Sequence, residues 1–129
     1  MQSKTEKTAQ LALDLLDWNR RHLTHASELT EELIAQRFAS SFEVRANGRT
    51  YQANHANYKD FLNGFRQSIV SINYKVHKLV VDAESAVIAM NANVTRSNGP
   101  VEQFEAMLLL SFDQSGLVKL WHEVYLRTA

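Results

Sequence analysis

The chain has 129 residues, with 14 Lys and Arg against 14 Asp and Glu, and so a formal net charge of zero. That length bounds it to one domain of ordinary size, 1–129, and neutrality argues against the positive surface of a general nucleic-acid binder. With 45% apolar residues, 22% charged residues and no Cys, it is globular rather than disordered, and disulfides, thiolate metal sites and a Cys nucleophile are excluded.

The first residues, Met1-Gln2-Ser3-Lys4-Thr5-Glu6-Lys7, contain no apolar h-region, and no later apolar run approaches the ~18 residues of a membrane span. The expectation is a cytoplasmic protein without a membrane contact. Residues 4–24 have helical periodicity: Leu11, Leu15, Trp18 and His22 form a stripe flanked by Ala12, Leu16 and Leu23. Ser27 or Thr30 offers the N-cap of a second helix running to about Arg37, with Leu29, Leu33, Ile34 and Phe38 on its buried side. The period then changes to two: Phe42, Val44 and Ala46 alternate with Glu43 and Arg45, which predicts a strand. Asn47-Gly48 signals a tight hairpin, and Arg49–Gln52 is the return strand. Asn54 caps a third predicted helix over about 55–69, with Tyr58, Phe61, Leu62, Phe65 and Ile69 on one side.

Four strand-like runs follow, about 71–81, 85–97, 101–113 and 117–127, separated by Asp82-Ala83-Glu84, Ser97-Asn98-Gly99-Pro100 and Asp113-Gln114-Ser115-Gly116. Helices first and long strands last predict an α+β domain. The strand over 104–112 is apolar on both faces, with Phe104, Ala106, Leu108, Leu110 and Phe112 on one and Met107 and Leu109 on the other. Helices cover one face of such a sheet; the other is expected to meet a second copy, making a homodimer through the sheet.

Three helices, a short hairpin before the third, and a four-strand meander occur in the order of a known fold. With the segments Arg37-Phe38-Ala39-Ser40-Ser41 and Phe112-Asp113-Gln114-Ser115-Gly116-Leu117-Val118-Lys119-Leu120-Trp121, the chain resembles the nuclear transport factor 2-like superfamily, in its SnoaL-like branch of polyketide cyclases and ketosteroid isomerase-like proteins. The resemblance implies a cone-shaped, cystatin-like fold, with three N-terminal helices packed on a curved antiparallel sheet and a conical cavity between them. It implies a small apolar ligand and a cofactor-independent isomerase, dehydratase or cyclase, or else a non-catalytic ligand- or protein-binding module. Ketosteroid isomerases of this fold place their acids at positions that fall near Ala46 and Leu108, both apolar here, which argues against steroid isomerisation. The Asp–Arg–Asp set of the epoxide hydrolases has no match either, because Asp14, Asp17, Asp60, Asp82 and Asp113 sit on predicted helices or in turns. The tyrosines and histidines of scytalone dehydratases find no residue-by-residue match.

Alternation on the last strand puts Trp121, Glu123 and Tyr125 on one face and Val118, Leu120, His122, Val124 and Leu126 on the other. Pattern alone would make the second row the core. The resemblance implies that the first row lines the cavity and the second joins the dimer sheet, and this is the reading adopted. Glu123 is then the candidate acid/base, or else a rim glutamate paired with an arginine; His122 is the second choice. Trp18, Tyr51, Tyr58, Met90 and Leu108 are the further candidates for the ligand wall, each open also to a plain packing role, and His22 is either a ligand donor or an exposed helix end. The five histidines, His22, His25, His55, His77 and His122, are too scattered for a metal site, and neither a phosphate loop nor a nucleophile elbow is present, so no metal or cofactor is expected.

Overall fold

A computed structural model describes residues 2–129. Helix α1 spans Lys4–His22; Ser3 accepts from the Glu6 amide at 3.1 Å and the Glu6 carboxylate reaches back to the Ser3 amide, a capping box that fixes its start. Its buried face is Ala12, Leu15, Leu16, Trp18 and Asn19, rotated from the predicted stripe, so that Leu11 and His22 are only half-buried. Helix α2, Glu31–Ala35, is shorter than expected; Thr30 is its cap, and Phe38 belongs to the strand that follows.

Strand β1 (Phe38–Ala46) and strand β2 (Arg49–Asn54) form the hairpin, closed by Asn47 and Gly48 at φ 50° and 87°. Both φ values are positive, which the tight two-residue turn requires and which Asn and Gly tolerate at least cost. Asn54 caps helix α3 (His55–Arg66), which ends before the predicted 69; Ile69 opens the next strand. Tyr58 and Leu62 face inward, whereas Phe61 and Phe65 remain 51% and 43% exposed.

The meander consists of β3 (Ile69–Val81), β4 (Ser85–Arg96), β5 (Val101–Phe112) and β6 (Val118–Arg127), and the single sheet has the order β2-β1-β6-β5-β4-β3. One expectation is corrected here: the sheet is mixed, because β1 runs parallel to β6. The hairpin is joined to the meander by α3, which crosses over the sheet, and a crossover of this kind is what parallel pairing requires. Register shifts within β3, between Ile69 and Ser71 and between Val76 and Lys78, and on β5/β6 between Ser111 and Phe112, interrupt the ladders and bend the strands.

The core lies between α1 and the inner face of β3, β4 and β5, with Ile88, Leu108 and Leu110 sealed beneath the helix. Val118 is a second correction. It was expected on the outer row with Leu120, but it is buried in this core. Phe112 pairs with Val118 and Ser111 with Leu120, so the extra residue at Lys119 reverses the alternation. From Trp121 onward the inner row is Trp121, Glu123, Tyr125 and Arg127. Among the described residues, no helix is long and apolar enough to cross a membrane.

Candidate functional site

Helix α1 closes the deep half of the sheet and α3 stands over the other half, and between them a cavity of about 390 Å³ opens to one side. Its volume falls in the range of small-molecule sites. The walls are mostly apolar: Val44 and Ala46 from β1, Ile72 from β3, Ala92 and Val94 from β4, Phe104 and Ala106 from β5, and the α3 ring row of Tyr58, Phe61 and Phe65.

A few polar groups converge on this space. Glu123 projects from β6 between Trp121 and Tyr125, and the fully buried Leu108 is its partner across the β5–β6 ladder. Loss of water around the carboxyl disfavours its charged form and pushes its pKa from the ordinary 4.5 up to about 7; the Trp121 indole N–H offsets this in part. Tyr58 and Tyr74 line the same cavity, and burial raises both phenols above their ordinary range, with the Glu123 charge adding to the shift. They are neutral donors at any physiological pH. Asn19, a buried polar residue of α1, donates through Nδ2 to the Tyr74 hydroxyl oxygen at 3.3 Å. That bond occupies an acceptor position of Tyr74 and leaves its own O–H proton free to point elsewhere.

Of the residues singled out in the sequence, Tyr58, Trp121, Glu123 and Tyr125 meet at this cavity. Trp18, Met90 and Leu108 do not line it. All three are buried in the core: Met90 and Leu108 on the sheet, and Trp18 on the inner face of α1, where it packs against Phe38 and His22 at 5.8 and 5.0 Å between ring centroids. Tyr51 sits behind the wall, against Phe61 at 5.8 Å; burial pushes its phenol up to about 12 and its hydroxyl has no partner among the described residues. His122 stands on the outer face, opposite Leu109 and Arg45, and His22 binds the Glu28 carbonyl through Nδ1 at 3.0 Å. Asn19 and Tyr74 went unnoticed in the sequence. The only signal for them was a polar residue at the edge of the α1 stripe and an aromatic on the inner row of β3. No group of three or more His, Asp or Glu side chains among the described residues is placed to hold a metal ion.

No protein-family model matches the chain, and no curated protein matches it in sequence. Solved structures do match in fold. A candidate ketosteroid isomerase from Kribbella flavida superposes with a TM-score of 0.68 at 21% identity, covering 98% of this chain and 83% of that one. A candidate SnoaL-like polyketide cyclase from Jannaschia gives 0.73 at 10% identity, over 98% and 89%. A nuclear transport factor 2-like protein from Anabaena variabilis gives 0.74 at 9% identity, over 100% and 95%. The chain has the fold these proteins share: an α+β cone in which helices close a curved six-stranded sheet.

Proposed function

We propose that the cavity binds a small apolar molecule and that Glu123 moves a proton on it, in a cofactor-independent isomerisation, dehydration or cyclisation. The observation that carries this reading is the convergence of the Glu123 carboxyl, poised near neutrality, with the two neutral phenols of Tyr58 and Tyr74 among mostly apolar walls; the charged groups Arg96, Glu102 and Arg127 line the same cavity. Ionised Glu123 takes a proton from a carbon beside a carbonyl. The C–H electron pair moves to the carbonyl oxygen, where the hydroxyl of Tyr74 or Tyr58 donates a hydrogen bond to the developing enolate. The protonated Glu123 then returns the proton to the same carbon or to one conjugated with it. A base with a pKa near the working pH combines an adequate ionised fraction with adequate proton affinity. Neither metal nor nucleotide is called for. Solved structures of this fold with isomerase-like and cyclase-like names are in keeping with such chemistry. The alternative is a binding module with no turnover.

The same proposal includes a homodimer. The outer face of the meander exposes Val87 of β4, Met107 of β5 and Val124 and Leu126 of β6, with Val124 paired directly to Met107. A second copy laid on this face would cover it.

A direct test uses 2-tetralone, an apolar enolisable ketone, in D₂O. The protein should accelerate deuterium uptake beside the carbonyl, and Glu123→Gln should lower that rate by about 10²–10⁴-fold while still binding the ketone. Binding without acceleration in the wild-type protein would favour the non-catalytic alternative.

A further inference from the structure

Glu123 is an acid without a counter-ion: none of the ion pairs among the described residues includes it. Its ladder neighbours, Ala46 of β1 and Leu108 of β5, are apolar. The polar groups that reach it are the phenols of Tyr58 on α3 and Tyr74 on β3 and the indole of Trp121, none of them a cation. The arginines of the surrounding elements are committed elsewhere. Arg20 of α1 pairs with Asp17 and lies over the Tyr74 ring at 5.7 Å. At the mouth, Arg96 brings Nε and Nη2 to Glu102 Oε1, both at 2.7 Å, and Nη1 to the Ser68 hydroxyl at 3.0 Å. Arg127 brings Nη1 to Glu102 Oε2 at 3.1 Å and Nε to the Ala129 main-chain oxygen at 3.3 Å. It stands four residues beyond Glu123 on β6, about 13 Å along the strand. The walls around the lone carboxyl are rings instead. Trp121 and Tyr125 flank it on β6, Phe61 stacks on Tyr58 with centroids 6.0 Å apart, and Phe104 stands edge-on to Tyr125 at 5.8 Å.

We propose that the cavity takes a hydrophobic amine as its ammonium ion, with the nitrogen on the Glu123 carboxylate and the hydrocarbon against Phe61, Phe104 and Tyr125. This goes beyond the ketone chemistry above; it rests on the same cavity being a ligand site and does not require turnover. A carboxylate withdrawn from water and left unpaired is costly, and a ligand that brings the opposite charge relieves that cost. Ring faces carry negative quadrupole density and add to the attraction for a cation. An ammonium has three donors, and the carboxylate and the phenol oxygens of Tyr58 and Tyr74 are acceptors for them. A metal ion would need several ligating side chains together, and among the described residues no such group exists. The apolar walls require the rest of the molecule to be hydrocarbon, because polar groups there would lose hydration without replacement. Free Glu123 holds its proton up to about pH 7, so an ammonium that needs the carboxylate displaces that proton when it binds below neutrality.

The experiment compares 2-aminotetralin with 2-tetralol, which share a ring system and differ by an ammonium in place of a neutral hydroxyl, by titration calorimetry at about pH 6 and about pH 8. The amine is ionised at both. At about pH 8, where Glu123 is mostly ionised, the amine is expected to bind about tenfold more tightly than the alcohol or better. At about pH 6 its affinity should be about tenfold lower than at pH 8, with release of about 0.9 proton per molecule bound, read from the heats in two buffers of different ionisation enthalpy. The alcohol should show neither the release nor the trend. Glu123→Gln should abolish the proton release and weaken the amine by about tenfold at pH 8. The proton count in the wild-type protein stands by itself if that variant fails to fold. Equal binding of amine and alcohol at pH 8 overturns the inference and leaves the cavity a ligand site. Binding of the amine at pH 6 without proton release also overturns it. If neither compound binds the wild-type protein, the cavity reading falls together with it. If the amine binds as expected but 2-tetralone exchange is not accelerated, the inference stands and only the catalytic reading falls.

Discussion

The side-chain amide of Asn47, at the tip of the β1–β2 hairpin, satisfies both main-chain groups of Tyr125: Oδ1 accepts from the Tyr125 N–H at 2.8 Å and Nδ2 donates to the Tyr125 carbonyl at 3.2 Å. The Asn47 N–H donates in turn to the Glu123 carbonyl at 3.0 Å. The parallel ladder between β1 and β6 has its last pair at Ala46 and Glu123, so a turn side chain continues it past the end of β1. Asn47 thereby holds the backbone of β6 at Glu123 and Tyr125, two of the residues that line the cavity.

Asn47→Gly keeps a residue that accepts the positive φ of 50° but removes both side-chain bonds. At about 1 kcal/mol for each hydrogen bond, the variant should lose about 1–2 kcal/mol of stability. Hydrogen exchange should be faster at the Tyr125 amide and little changed in the ladder between β1 and β2. Unchanged protection of Tyr125 would show that the amide does not hold the strand.

The Glu123 carboxyl should leave a mark on stability as well as on chemistry. Its pKa rises from 4.5 in the unfolded chain to about 7 in the fold, so between those values the folded state keeps a proton that the unfolded state has lost. Unfolding free energy contributed by this group therefore falls as pH rises from about 4.5 and levels off above about 7, a swing of at most about 3 kcal/mol. Glu123→Gln removes that slope. Measured by urea melts, the variant should gain on the wild-type protein as pH rises and should be the more stable of the two at pH about 8. A constant difference across that range would place the carboxyl in water.

Tyr74→Phe retains the ring and deletes the hydroxyl that Asn19 orients. If Tyr74 supplies the hydrogen bond to the enolate oxygen, deuterium uptake by 2-tetralone should drop by about 10²-fold with little change in affinity for the ketone. Asn19→Ala leaves the hydroxyl in place but frees it to rotate, so its effect should be smaller. An unaltered rate in Tyr74→Phe would assign the donor role to Tyr58.

The apolar outer face predicts a dimer at micromolar concentration, read by analytical ultracentrifugation. Met107 is 47% exposed and pairs with Val124, itself 48% exposed, near the middle of that face. Met107→Glu places a charge where two such faces would meet, at a cost of several kcal/mol to the contact, and should give a monomer that still binds the cavity ligand. A wild-type protein that sediments as a monomer would end this prediction.

Most of the architecture was legible locally. Helices and strands fell within a few residues of their predicted places because period, caps and turn residues are nearest-neighbour properties: Thr30 and Asn54 cap by side-chain bonds to amides three residues on, and Asn47-Gly48 turns because both accept positive φ. The inner position of Trp121, Glu123 and Tyr125 could be reached by adding the resemblance to alternation. What alternation could not show was the bulge at Lys119, which turns Val118 inward although it shares the parity of Leu120. Nor could it show depth. Leu108 and Met90 share the inner face with Ala106 and Ala92, yet α1 seals the first pair while the second pair borders open space. Parallel pairing of β1 with β6, the bond from Asn19 to Tyr74 and the Arg96–Glu102–Arg127 cluster each join residues far apart in the chain. Contacts of that kind depend on how whole elements are stacked and bent, and a period read along a single strand holds no information about what lies across from it.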